Sequence, residues 1–220
     1  MTAGVRRAHR AIVALLPVAM LAACGGGDER PASSTSLPAD PAEANWRQMA
    51  TPADRERLRS WRDAWTAGLA RAGASELAKA DPKGGLFDPD VAKPGAVPPP
   101  GDYRCRVFKL GASGTAMAEF TSYPATDCTI ADEGEVSSFY KSSGSQRPVG
   151  LIFRDDANRA IFLGTLVIGD EARPMQYGRD ANRDLAGYVE RIGDRRWRLV
   201  LPSPAFESLI DVVELVPADK

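Results

Sequence analysis

Val149-Gly-Leu-Ile-Phe-Arg154, Asp155-Asp-Ala-Asn158 and Arg159-Ala-Ile-Phe-Leu-Gly-Thr-Leu-Val-Ile168 form the stretch whose reading decides the fold. Two apolar runs flank four residues that favour tight turns, because short Asp and Asn side chains hydrogen-bond the neighbouring backbone. The pair reads as a hairpin with strands near 149–154 and 160–168. Outward from it, similar short runs lie near 102–110, 117–123, 126–131, 135–141, 185–192, 195–201 and 209–216, with Gly193-Asp194 as another turn. No helical pattern interrupts them. The expected fold is therefore mainly β with one N-terminal amphipathic helix, its antiparallel meander closing into a small lipocalin-like barrel or a sandwich. Closure would also remove exposed strand edges.

An internal echo fits a meander. Asp156-Ala-Asn-Arg159 and Ile168-Gly-Asp170 recur as Asp180-Ala-Asn-Arg183 and Ile192-Gly-Asp194, which reads as repeated turn chemistry.

Upstream, residues 51–80 read as the helical segment. Thr51-Pro52-Ala53-Asp54 is a helix start, with Thr as N-cap, Pro where no amide donor is needed and an acid in the first turn. Leu58, Trp61, Trp65, Leu69 and Ala72 recur at three- and four-residue spacing, which predicts one amphipathic helix over 52–72 stopped by Gly73, with a short second turn around Leu77. Such a stripe faces a core more often than a membrane surface. Residues 81–100 are Pro/Gly-rich and read as an extended connector to a β-barrel-like domain at 101–220.

The first residues read as an address. Arg6, Arg7 and Arg10 precede an apolar run from Ala11 to Leu21, too short for the ~20 residues of a membrane-spanning helix. Leu21-Ala-Ala-Cys24 has the form of a lipobox, so residues 1–23 are expected to be a cleaved lipoprotein signal and Cys24 the lipidated first residue. Residues 24–50 then form a flexible tether, poor in large apolar side chains and able to reach roughly 25 Å. Acyl chains on Cys24 would hold the protein to a membrane, since each buried CH₂ contributes ~0.8 kcal/mol. Gly25, instead of Asp, points to the outer membrane, facing the periplasm.

Of three cysteines, Cys105 and Cys128 remain for a disulfide in an oxidising compartment. His9, the one histidine among 220 residues, lies in the signal. The mature chain would have none, which excludes Ser-His-Asp and Cys-His catalysis and histidine metal sites. Phosphate-loop and dinucleotide-binding fingerprints are absent too, and no cofactor is expected. The balance of 28 Lys and Arg against 29 Asp and Glu gives a net charge of −1, without the electrostatic footprint of a nucleic-acid binder. Asp180-Ala-Asn-Arg-Asp184 opens like a calcium loop, but Leu185 and Arg191 stand where such a loop needs Gly and Glu, so it reads as a polar turn.

The candidate binding element is the loop Lys141-Ser-Ser-Gly-Ser-Gln-Arg-Pro148, with Lys141, Ser143, Ser145, Gln146 and Arg147 as its contact residues. Arg147 could offer a two-pronged donor to a partner's carboxylate. Glu207, Asp211 and Glu214 alternate with apolar residues and read as a solvated face.

Gly-Asp-Tyr-Arg-Cys-Arg (101–106), Lys-Leu-Gly (109–111), Gly-Ser-Gln-Arg-Pro (144–148), Phe-Leu-Gly-Thr-Leu (162–166), Tyr-Gly-Arg-Asp (177–180) and the Trp-Arg-Leu-Val-Leu-Pro run (197–202) make the chain similar to a proteobacterial family, domain of unknown function 4893. That resemblance supplies no activity. More loosely, Tyr103-Arg-Cys105 and Ser143-Gly-Ser-Gln-Arg147 resemble periplasmic lysozyme inhibitors, although Pro148 replaces the aromatic expected after the arginine. The expected function is a membrane-anchored, non-enzymatic binding module for a protein or glycan of the envelope. Two alternatives stay open: an inhibitor of lysozyme or a protease acting through the 141–148 loop, and a carboxylate-based hydrolase of envelope glycans.

Overall fold

The computed structural model describes residues 45–114 and 116–218; the expected signal, Cys24 and the tether up to residue 44 lie outside them. The folded part begins inside the stretch expected to be tether. The Asn45 side chain accepts from the Arg47 amide and starts α1 (Trp46–Met49), whose Trp46 Nε1 donates to Asp155 Oδ1 at 2.8 Å. Thr51 Oγ1 accepts from the Asp54 amide at 3.1 Å and Pro52 opens α2 (Pro52–Arg59). α3 (Trp61–Ala72) ends at Gly73, whose φ of 79° suits a residue without Cβ, and α4 (Ala74–Ala80) follows.

The single helix expected over 52–72 is thus broken at Ser60, which ends α2 and starts α3. The physical reason is the curved wall beneath. α2 places Leu58 among Phe153, Ile161, Leu163 and Ala186, whereas α3 places Trp65 among Phe108, Leu110, Val200 and Ile210. One straight rod could not cover both patches.

Nine strands follow: β1 (Gly101–Ser113), β2 (Phe120–Ser122), β3 (Thr126–Asp132), β4 (Val136–Lys141), β5 (Gln146–Arg154), β6 (Arg159–Ile168), β7 (Asp184–Gly193), β8 (Arg196–Pro202) and β9 (Glu207–Pro217). Each of β3 to β8 pairs antiparallel with the next, β3 pairs with β1, and β1 also pairs with β9. That last pairing runs from Tyr103↔Pro217 to Ser113↔Glu207 and closes the ring, so the fold is a barrel of eight strands with β2 as an extra strand beside β1.

Alternation along the strands divides the core in two. Inward residues such as Tyr103, Cys105, Ile130, Phe139, Phe162, Leu199 and Leu215 fill the barrel. Gly150 and Gly164 face each other across β5 and β6, where a Cβ on either would press into Phe162, at 2.8 Å and 2.6 Å respectively. Outward residues carry the helices and the connector. Arg198 is fully buried there, donating from Nη1 to the carbonyls of Gly85, Leu86 and Asp88 at 3.1, 2.8 and 2.7 Å and from Nε to Glu190 at 2.8 Å. These bonds strap the connector to β8. A disulfide joins Cys105 on β1 to Cys128 on β3, with Cα atoms 6.0 Å apart.

Candidate functional site

The register leaves a notch near one mouth of the barrel. β3 pairs with β1 only from Ile130↔Gly101 to Thr126↔Cys105, while β1 continues to Ser113, backed by β2 from Phe108 to Leu110. β4 ends at Lys141 opposite Cys128, and β5 begins at Gln146. Between β1 and β5 the wall is therefore incomplete. A cavity of about 190 Å³ occupies the gap, with Val107 and Lys109 on one side, Ser145 and Gln146 on the other, and Tyr123 and Pro124 at the rim. Thr126, Lys141 and Gly144 complete the lining. The barrel interior next to it is nearly filled, with a void of about 20 Å³, roughly one water.

Lys109 points inward because it continues the alternation of Tyr103, Cys105 and Val107. Its register partner across the closing seam is Asp211, and Nζ meets Asp211 Oδ2 at 2.8 Å and Glu207 Oε2 at 3.5 Å. Burial raises the Asp211 carboxyl above the usual carboxylate range, with Lys109 and a donated Ser208 hydroxyl pulling the other way. Glu207 reaches the pair from a left-handed backbone position, φ 71°.

The expectation that Glu207, Asp211 and Glu214 form a solvated face is overturned. Asp211 is buried inside, and Glu214, on the outer face, accepts from Arg196 Nε at 2.6 Å beneath the connector. β9 is covered on both sides, by the barrel interior and by α3, so neither face is left to water.

Lys141 also faces the notch and is 4% exposed. Its Nζ donates to the Ser143 carbonyl, and among the described residues no carboxylate pairs with it. Burial, with Arg147 nearby, pushes its pKa down. Gly144 is required above it: φ is +97°, and a Cβ there would lie 2.8 Å from Lys141 Nζ.

The candidate loop residues thus divide. Lys141, Ser145 and Gln146 line the cavity, and Ser143 supplies a carbonyl to Lys141. Arg147 is committed elsewhere: Nη1 donates to Gly144 O at 2.8 Å and Gly169 O at 2.6 Å, and Nη2 to Glu171 O at 2.8 Å. Its fork staples two loops together instead of projecting toward a partner. Sequence reading missed Lys109 and Tyr123, and it placed Asp211 on the wrong face of its strand. The alternation through Cys105 and Val107 carried the signal for Lys109, and it becomes informative once the inward face of β1 is known.

The Asp180 turn is closed by its own backbone. Asp180 O accepts from the amides of Arg183 and Asp184 at 2.8 and 2.9 Å, and Asp184 Oδ1 accepts from the Gly178 amide at 2.8 Å. Among the described residues, no group of three or more His, Cys, Asp or Glu is placed to hold a metal ion. Chemically, the notch offers an ammonium with spare donors, an amide and a hydroxyl beside an apolar wall.

These features define a small closed β-barrel domain, strapped by helices and a proline-rich connector and notched at one mouth. The chain belongs to the family described as domain of unknown function DUF4893, whose model matches residues 46–215, from the start of α1 into β9. Neither a curated protein nor a solved structure matches it.

Proposed function

We propose that the protein is a lipoprotein of the bacterial envelope, anchored through acyl chains on Cys24, whose barrel is a non-enzymatic binding module for an envelope component. The observation that carries the binding part is the notch beside the 141–148 loop, where Lys141 is buried without a carboxylate partner among the described residues. Burying an unpaired charge costs stability, so such a group is retained most readily where it serves a ligand. Leu21-Ala-Ala-Cys24 supports the anchor and Gly25 the outer membrane.

Two measurements test this reading. Cys24→Ala should lose acyl labelling and leave the membrane fraction; unchanged retention would remove the anchor. Pull-down of the intact protein from envelopes, compared with Lys141→Met, should recover a component that the variant loses. Recovery of the same set by both would remove the binding role of the notch.

The inhibitor reading rests on Arg147, whose guanidinium already serves three backbone carbonyls, and so draws less support. A lysozyme assay, wild type against Arg147→Ala, decides it: inhibition lost in the variant would restore it. The hydrolase reading needs free paired carboxylates. Glu207 and Asp211, those nearest the notch, both lie on Lys109.

A further inference from the structure

We propose that the notch is a binding site for a small organic acid, its carboxylate held by Lys141 and its short apolar body lodged between Val107, Tyr123 and Pro124. This rests on reading the barrel as a binding module and names the ligand chemistry of the same site.

Three observations lead here. Size comes first: about 190 Å³ somewhat exceeds the ~150 Å³ that accommodates a benzene ring, so the occupant has on the order of ten heavy atoms. Charge comes second. Two ammonium groups line the cavity, but they are not equivalent. Lys109 is neutralised by Asp211 at 2.8 Å and Glu207 at 3.5 Å, whereas Lys141 meets one backbone carbonyl and faces the added positive charge of Arg147. An incoming anion would meet its counter-charge at Lys141, where charge-assisted hydrogen bonds are strongest. Shape comes third. The apolar surfaces of Val107, Tyr123 and Pro124 lie on the β1 and rim side, across from Ser145 and Gln146. A ligand with one charged end and one apolar end fits that division, and its amide or hydroxyl contacts to Gln146 and Ser145 would fix its orientation.

Arg147 completes the arrangement from outside. By bonding Gly144 O, Gly169 O and Glu171 O it holds the loop that roofs Lys141, while Gly144 leaves room for the ammonium beneath. Arg147 is in this sense a positioning residue for the site.

The test uses the full chain carrying Cys24→Ala, purified without detergent, and saturation-transfer and amide-shift NMR. The probes are phenylacetate, phenylacetamide and phenethylamine, which share a body and differ in charge. Phenylacetate should bind with a dissociation constant of ~0.1–1 mM, the range open to a ligand of some ten heavy atoms. Its shifts should centre on 107–109, 123 and 141–146. The amide and the amine should bind about tenfold more weakly or worse. Lys141→Met should abolish the preference for the acid. Tyr123→Ala, at an exposed rim position that leaves the fold intact, should weaken phenylacetate several-fold. Absence of phenylacetate binding at ~10 mM overturns the proposal, as does equal binding of acid and amide, or a preference that survives Lys141→Met. Should Lys141→Met not fold, the acid-to-amide ratio and Tyr123→Ala decide alone. An acetylated tetrapeptide ending in phenylalanine, as acid and as C-terminal amide, tells a free small acid from a peptide terminus. Phenylacetate binding without capture of any envelope component would end the envelope-partner reading and leave this one standing; the reverse result would end only this one.

Discussion

Lys109 on β1 and Asp211 on β9 are register partners across the seam that closes the barrel, and their side chains meet 2.8 Å apart inside it. The pair is 102 residues apart in the chain and sits at the mouth where the notch opens. A buried pair of this kind is expensive to break from one side, because the surviving charge keeps its desolvation cost. Asp211→Ala should therefore lower unfolding stability by about 3–5 kcal/mol in urea titration. Lys109→Met combined with Asp211→Leu should recover most of that loss. A double variant as unstable as the single would show that the pair contributes more than mutual compensation.

Lys141→Met should act in the opposite direction. The side chain is buried and its ammonium bonds one carbonyl, so an apolar replacement of similar length removes a desolvation penalty. A gain of about 1 kcal/mol is expected in the same titration. Ligand binding should be lost as stability rises, the trade-off expected of a group kept for function.

Removing the Cys105–Cys128 disulfide should cost about 3 kcal/mol on the chain-entropy estimate, since it closes a loop with a sequence separation of 23. Urea unfolding with and without reductant measures this. An unchanged midpoint would show that the β1–β3 pairing holds this part of the barrel by itself.

Tyr103 gives an alkaline signature. Burial pushes its phenol up to about 12, against a smaller opposing effect of Arg195. Its hydroxyl donates to Pro99 O at 2.6 Å, a bond that only the protonated form can make. The folded pKa exceeds the unfolded value near 10, so this contribution to stability is complete below pH 10 and is lost as pH rises through about 12. Absorbance at the phenolate band should show a late component near pH 12 that Tyr103→Phe deletes.

Gly68→Ala tests the helix-to-barrel contact. A Cβ at residue 68 would lie 2.6 Å from Ile210 Cγ2 and 3.4 Å from Leu110, where α3 packs on the wall. Overpacking at such a point should cost about 1–3 kcal/mol, read as a lower melting temperature.

The nine strands were legible because the signals for them are local. Alternating burial and turn residues such as Asp155 to Asn158 act over a few positions, and β5 and β6 fall where their runs of apolar residues do. The break at Ser60 was not legible, since the spacing from Leu58 to Trp65 is continuous and only the curvature of the barrel wall decides that Leu58 and Trp65 serve different patches. Within the 141–148 loop, composition marked both Lys141 and Arg147 as cations and favoured Arg147 as the one that reaches a partner. Geometry separates them, one beneath Gly144 in the notch and the other bonded across to Gly169 and Glu171.

By itself the sequence determined a mainly β domain behind an amphipathic helical segment, a pair of cysteines suited to a disulfide, and an amino terminus with the form of a lipobox. These depend on neighbours in the chain, or on simple counts of residue types. Closure was decided by tertiary structure alone, because the β1–β9 seam joins strands about a hundred positions apart and no local pattern selects that pairing over a sandwich. Closure in turn defines which face of each strand is interior. From that follow the burial of Asp211 against Lys109 and the notch beside Lys141, which no reading of β1, β4 or β9 in isolation could place.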